Sequence, residues 1–366
     1  AGNISWLGGL KIGTGTATVA ANGTSTKLGS VEFSSARGGT LQINDGATLT
    51  LQDQNGGCSR ADNCRITTNA GNVVQGAGTL ELVNGNGSVF GGLVNLGTLN
   101  FGAANGTITF NYAGESQINN FTVNSGGANV IVNNGALAVG NDFGNNNTTV
   151  YGTGTLFLQT NGTFKNGSGQ SLANLKIGTG TVTVAGANLG NVLFNSAEGG
   201  TLNLTGNTTV TGNITVNSGN TIKSSALLTL SGAGASGTFA SSLANLTGLT
   251  VQNGATAYIN TSTGVGSSNG GLTLADNSRL VIGNGAELTV SSNLGSSASS
   301  VITGDGTLNL TGTVTVGGVL DNLNNLSVSS GTATTKHTSN IKGNITVSDN
   351  ATLNFAGGSA GSSTEH

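Results

Sequence analysis

The chain has 366 residues, with 64 Gly, no Pro, only 7% charged residues and a formal net charge of -3. This balance excludes nucleic acid as a partner, because there is no basic stripe to meet phosphates. It also argues against disorder, since 35% of the residues are apolar and the net charge is small. No apolar run approaches the roughly 18 residues of a spanning helix, so we expect no membrane insertion.

Short alternating strands are predicted from the start of the chain, at residues 16–19, 41–43 and 49–51. Their β-branched and aliphatic residues alternate with polar ones, as in strands that are buried on one face. The absence of Pro agrees with this, because Pro cannot donate to a strand ladder. The fold class predicted is therefore all-β.

A pair of cysteines follows, with Cys58 and Cys64 enclosing the letters SRADN. In an exported protein such a pair most simply forms a disulfide that pins a protruding loop. The alternative is an exposed contact loop, for which Arg60, Asp62 and Arg65 offer the most concentrated charge in the chain. No third ligand is visible, so we predict neither a metal site nor a redox role.

Further along, apolar residues recur every 19 positions and Gly-Thr-Leu phrases recur with them. The step of 19 predicts a core column made of Leu80, Leu99, Ile118, Leu137, Leu156, Leu175 and Phe194. A repeat of this length cannot enclose its own core, so neighbouring repeats must stack. We predict a single-chain parallel β-helix, or β-solenoid, with coils of about 19 residues. A string of Ig-like sandwiches would need domains of roughly 90–100 residues with linkers between them, and no linkers are evident.

The sequence also repeats at long range. The letters LKIGTGTATVA at 10–20 return as LKIGTGTVTVA at 175–185, and VEFSSARGGTLQI at 31–43 returns as VLFNSAEGGTLNL at 192–204. Duplication of a block of coils explains this, with roughly 10–52 echoed at 175–216. We predict one continuous β-helix over 1–358 and a flexible polar tail over 359–366.

Chemistry-bearing residues are sparse, which favours a protein that is not an enzyme. The 14 acidic residues are dispersed, and His337 and His366 lack zinc-ligand spacing, so no catalytic residue, metal or cofactor is predicted. A carbohydrate-active β-helix enzyme stays open as an alternative. It would need a groove with two or three acids beside Trp6, Tyr112, Tyr151 or Tyr258. An ice-binding β-helix is another alternative and would need a flat face of aligned Thr.

The Gly-Thr-Leu-x-apolar coils, with GNGAELTVSSN at 283–293 and SDNATLNFAGG at 348–358, resemble passenger regions of bacterial autotransporters and filamentous-haemagglutinin-like exoproteins. The resemblance covers essentially the whole chain. It implies an extracellular or cell-surface location with a structural and adhesive role. One departure is that a Pro-free chain lacks the Asn-Pro of the secretion-domain motifs expected in two-partner exoproteins.

Several features shape the functional prediction. The chain begins at Ala1 without Met, so we expect a mature form after signal-peptide removal. Coil-like sequence runs from residues 4–12 to Phe355 without a charged cap, and open strand edges are templates for pairing. We therefore predict a stiff rod that stacks end to end on itself into a filament. The alternative is a monomeric adhesin stalk. Further expected partners are glycans or proteins on host or neighbouring cells.

Overall fold

In the computed structural model, residues 7–356 are described except 36, 57–63, 92, 104, 125, 266–270, 292–293 and 338. All regular structure in this part of the chain is β-strand, and the prediction of an all-β parallel β-solenoid is confirmed. No helix that is long and apolar enough to cross a membrane occurs among these residues. The predicted tail at 359–366 lies outside the described residues.

The contacts divide the chain into two compact units, residues 1–187 and 188–366. The strands that begin in residues 1–187 are β1 (Leu10–Ile12), β2 (Thr16–Val19), β3 (Thr26–Leu28), β4 (Val31–Phe33), β5 (Arg37–Ile43), β6 (Thr48–Leu51), β7 (Ile66–Thr67), β8 (Gly71–Leu82), β9 (Ser88–Phe90), β10 (Leu93–Phe101), β11 (Gly106–Phe110), β12 (Glu115–Val123), β13 (Ala128–Val132), β14 (Ala136–Val139), β15 (Gly144–Leu158), β16 (Gly162–Lys165), β17 (Leu172–Ile177) and β18 (Thr181–Phe194).

The strands that begin after residue 187 are β19 (Glu198–Val210), β20 (Asn213–Val216), β21 (Gly219–Ser224), β22 (Leu227–Ser231), β23 (Ser236–Phe239), β24 (Gly248–Gln252), β25 (Thr256–Ile259), β26 (Thr263–Val265), β27 (Gly271–Leu274), β28 (Arg279–Ile282), β29 (Glu287–Val290), β30 (Leu294–Ser296), β31 (Val301–Thr311), β32 (Val314–Val316), β33 (Val319–Ser330), β34 (Thr332–Thr335), β35 (Ser339–Ile341), β36 (Ile345–Val347) and β37 (Thr352–Phe355).

Each coil of the first unit has three sides. On the first side β1 pairs with β4, on the second side β2 pairs with β5, and on the third side β3 pairs with β6, all in parallel. The longer strand β8 then runs through two sides, because it pairs with β5 at one end and with β6 at the other. Strands β10 and β12 continue on both of these sides.

Coils of the second unit are built in the same way, from short strands such as β20 and β23 and from longer ones such as β31 and β33. A continuous parallel column runs from β20 through β23, β25 and β28 to β31. Coil lengths vary around the predicted value, since the step from Leu308 to its partner Leu326 is shorter than the step from Thr256 to its partner Arg279. Turns absorb the difference because loops tolerate insertions better than paired strands do.

The core of both units follows from strict alternation along the strands. In β5, Leu41 and Ile43 point inward and are fully buried, while Thr40 and Gln42 point outward. Each such aliphatic side chain contributes about 1.5–3 kcal/mol on burial. In the first unit four buried rings extend this core, with centroids 5.4–5.9 Å apart between successive rings: Phe90, Phe110, Phe121 and Phe143.

The predicted core column with its fixed step requires a correction. All seven of its residues are buried, and Leu80 pairs with Leu99, as Leu137 does with Leu156 and Leu156 with Leu175. Leu99, however, pairs with Phe121 and not with Ile118. Ile118 lies on the second side of the coil, where it pairs with Val139. The fixed step fails here because turn lengths change from coil to coil, while inward positions still recur at every second residue.

Candidate functional site

The candidate site is a groove of about 760 Å³ in the first unit, where strands bend from the second side of the coil to the third. We call it the amide groove. Its lining comes from six successive coils, and seven of its fourteen described residues are Gln, Asn or Asp: Gln42, Asp45, Gln75, Gly76, Ala77, Asn95, Leu96, Gly97, Gln117, Ile118, Asn119, Ala138, Gly140 and Gln159.

Glycine makes the bend possible. Gly76 has a φ of 112°, and a Cβ there would lie 2.0 Å from the carbonyl oxygen of Ile43 in the neighbouring coil. A Cβ at Gly97 would lie 2.1 Å from the carbonyl oxygen of Ala77. Only Gly allows the coils to stack this closely at the corner. The bend turns a sheet face into a concave surface with Leu96 and Ile118 buried beneath it.

Side-chain amides project along the groove because they occupy outward positions next to core residues. Gln42 and Gln75 pair in register on β5 and β8, and the Nε2 of Gln75 donates to the Oε1 of Gln42 at 2.9 Å. Two coils further on, the Nε2 of Gln117 donates to the Oε1 of Glu115 at 2.7 Å. A neighbouring amide in one case and a neighbouring carboxylate in the other therefore hold the groove wall in a defined geometry.

The Asn side of the corner is held by the same kind of contact. The Nδ2 of Asn141 donates to the Oδ1 of Asn119 at 3.0 Å. A similar bond occurs outside the groove, at the turn from the first side to the second, where the Nδ2 of Asn134 donates to the Oδ1 of Asn111 at 2.7 Å. Each bond joins adjacent coils, with an offset of one residue from the strand register. Such ladders satisfy outward amides along the solenoid without using charge.

The predicted cysteine loop is only partly covered by the described residues. Cys64 is fully buried and disulfide-bonded, with a φ of 64°, whereas Cys58, Arg60 and Asp62 lie outside the described part of the chain. Arg65 is half-buried, and its carbonyl oxygen accepts from the amide of Val31 at 3.2 Å. The Cys58–Cys64 pairing and the contact loop stay predictions.

The position of this loop in the coil is clear from the registers around it. Val31 pairs with Ile66 across a longer stretch of chain than the one that separates Leu10 from its partner Val31. The additional residues lie between β6 and β7, at the turn from the third side to the first. The paired strands on both sides of this segment are in register.

Features needed by the two alternative functions are sparse in the described residues. Only Asp45 is acidic among those that line the amide groove, and none is aromatic; Trp6 lies outside the described chain. No group of three or more His, Cys, Asp or Glu residues that could hold a metal occurs there either. For the ice-binding alternative, which needs a flat face of aligned Thr, the second unit has one ladder over four coils: Thr209, Thr229, Thr250 and Thr273.

Sequence reasoning missed the groove, although a signal was present. Gln follows a core residue in the phrases LQI, VQG, SQI and LQT, at positions 42, 75, 117 and 159. Their spacings are unequal, so a fixed step of 19 cannot align them. The observed registers pair Gln42 with Gln75, whereas Gln117 pairs with Ala138, so the four Gln meet at one corner without forming a single ladder.

Comparison of this chain with protein-family models, with curated proteins and with solved structures finds no match. Fold and geometry therefore carry the functional argument.

Proposed function

We propose that this chain is an exported, non-enzymatic cell-surface protein with a structural and adhesive role. It acts as a stiff β-helical rod whose copies assemble end to end into an extracellular filament. The resemblance to autotransporter and haemagglutinin-like passengers supports the bacterial surface location, as does a disulfide-bonded Cys64. Outward ladders of Asn, Thr and Ser suit a surface that contains few charges.

The observation that supports assembly is the last coil of the second unit. Its inward residues Ile345, Val347 and Phe355 are 48%, 44% and 60% exposed. The residues with which they pair in the preceding coil, Leu326, Val328 and Thr335, are at most 1% exposed. Strands β35, β36 and β37 each pair on one side only among the described residues.

A coil of a second copy is the occupant that fits this coil. It would continue the parallel ladder and bury the apolar residues in the same way as an internal coil does. Contact between different surfaces of two copies does not close on itself, so repetition produces a filament.

Electron microscopy of the purified protein over a concentration series, with and without reductant, tests the proposal. We expect unbranched threads in both conditions, because Cys64 is not part of the terminal coil. The double variant Ile345→Lys/Val347→Lys should raise the concentration needed for threads by at least about tenfold. A tenfold change corresponds to only about 1.4 kcal/mol of association free energy, and the variant removes two apolar side chains from the contact.

Thr346→Lys is the matched control, because Thr346 lies on the same strand and pairs with Ser327 on the outward face. It should leave thread formation unchanged. Separate particles at every concentration of the unmodified protein would contradict end-to-end assembly and favour the monomeric adhesin stalk.

A further inference from the structure

We infer that the amide groove binds a neutral, extended polysaccharide chain that lies across the stacked coils. This inference rests on the adhesive part of the proposed function and names the class of ligand for it. The groove offers about 760 Å³ of space over six successive coils. A linear chain fits such a volume better than a compact small molecule does, because the lining extends from one coil to the next.

The lining offers hydrogen bonds that match sugar hydroxyls. A side-chain amide has two N–H donors and an oxygen with two lone pairs, and a hydroxyl both donates and accepts. Between Gln75 and Gln42 one donor of one amide meets one oxygen of the other. Donor and acceptor capacity remains on both side chains, already oriented toward the groove. Pre-ordered polar groups reduce the entropy that is lost on binding.

The charge of the lining selects against anionic ligands. None of the described lining residues is Lys or Arg, and Asp45 is acidic. Sulfated, phosphorylated or carboxylated glycans are recognised through cationic side chains, above all Arg. An anionic chain would instead meet the carboxylate of Asp45 without a compensating cation. The groove therefore favours uncharged ligand chains that carry hydroxyl groups.

The periodicity of the groove agrees with a polymer. Adjacent coils are about 4.8 Å apart, close to the length that one pyranose unit adds to an extended glycan. Gln42 pairs with Gln75, and Leu96 with Ile118, so equivalent positions return once per coil. Successive sugar units would meet polar side chains from most of these coils. Five coil steps correspond to roughly 24 Å of chain.

An extended peptide is a poorer fit. Peptides that bind to β structure usually add a strand at a sheet edge, where backbone groups are unpaired. The amide groove crosses strand faces instead, and β8, β10 and β12 already pair with coils on both sides. The groove therefore offers polar side chains and no unpaired strand edge with which the backbone of a peptide could pair.

The experiment is calorimetric titration with uncharged β-1,4-linked oligosaccharides of two to eight sugars. A heparin-derived hexasaccharide and an uncharged Asn/Thr hexapeptide serve as competing ligand classes. We expect binding of at least one neutral series, with affinity that rises with length up to about five or six sugars, one for each coil of the groove. The heparin fragment and the peptide should bind at least about tenfold more weakly.

Variants locate the site. Gln75→Leu/Gln117→Leu keeps side-chain volume but removes two amides of the groove, and it should weaken binding at least about fivefold. The matched control is Gln252→Leu, because Gln252 is a half-buried outward Gln at the end of β24 in the second unit and does not line the groove. Thermal unfolding of all variants shows whether the fold is retained.

Absence of binding to every neutral series overturns the inference, and so does equal loss of binding in Gln252→Leu. Preferred binding of heparin or of the peptide also overturns it. The same samples viewed by electron microscopy separate the two proposals. Threads without glycan binding contradict only the ligand assignment, while glycan binding without threads contradicts only the assembly.

Discussion

The two Gly-Gly-Thr-Leu corners of this chain, at 38–41 and 199–202, share a backbone but differ in their buried hydrogen bonds. Gly38 and Gly199 have φ values of 80° and 84°. The coil that follows each corner places an Asn opposite the Gly pair, namely Asn72 in the first unit and Asn220 in the second. Both side chains are at most 3% exposed.

The difference lies in their partners. The Nδ2 of Asn72 donates to the carbonyl oxygen of Ser35 at 2.8 Å, and its Oδ1 accepts from the amide of Asn69 at 3.1 Å. Neither polar atom of the Asn220 side chain has a hydrogen-bond partner among the described residues. A repeated phrase therefore reproduces a backbone reliably, while satisfaction of a buried amide depends on its local surroundings.

The largest expected effect tests whether the two corners are equivalent. Phe33 and Phe194 occupy matching positions in the echo and are 6% and 4% exposed. We expect Phe33→Ala and Phe194→Ala each to lower the free energy of unfolding of its own unit by about 3–5 kcal/mol, through lost burial and a cavity.

Native-state hydrogen exchange of peptides from each unit measures this, because repeat proteins can unfold locally. A large loss of unfolding free energy in one unit and a loss of less than about 1 kcal/mol in the other would show that the repeated sequence does not pack in the same way in both units.

The middle prediction concerns the two asparagines. Asn72→Leu should destabilise the first unit by about 1–3 kcal/mol, because the Ser35 carbonyl and the Asn69 amide lose their partner. Asn220→Leu should stabilise the second unit by about 1–3 kcal/mol, because an unpaired buried amide is removed. Urea unfolding followed by exchange in each unit gives both signs. Destabilisation by both variants would mean that Asn220 is satisfied in solution, for example by buried water.

The smallest effect is expected at the glycines that begin each corner. Gly38→Ala and Gly199→Ala should each cost about 1–2 kcal/mol, since a side chain disfavours the left-handed backbone region. Space is not the reason at Gly38, where the nearest atom to an added Cβ is 3.7 Å away. Gly38→Asn is the control, because Asn tolerates this region better than Ala does. Equal losses for Ala and Asn, measured by urea unfolding, would contradict a backbone origin.

Much of the fold could be predicted from the sequence because burial in a solenoid is decided locally. Alternation of apolar and polar residues places Leu80, Leu99 and Ile118 inside whatever their stacking partners are. The stacking partners themselves could not be predicted in the same way. Whether Leu99 meets Ile118 or Phe121 depends on how many residues each turn absorbs, and a turn adds residues without changing the pattern of the strands.

The amide groove was even harder to predict from the sequence than the stacking partners were. Gln42, Gln75, Gln117 and Gln159 are surface residues in isolation, and they form a site only because the stacked coils bring them to a corner that Gly76 and Gly97 permit. Non-local alignment of this kind depends on every register between the residues concerned.

The sequence by itself determined that this protein is an all-β, parallel, stacked solenoid with an apolar interior and uncharged polar ladders outside, because composition and period-two alternation act over a few residues. Tertiary structure alone decided the number of sides in each coil, the pairing of Leu99 with Phe121 instead of Ile118, the different hydrogen bonding of Asn72 and Asn220, and the existence of the groove. Each of these depends on contacts between coils, where turn length sets which residues meet.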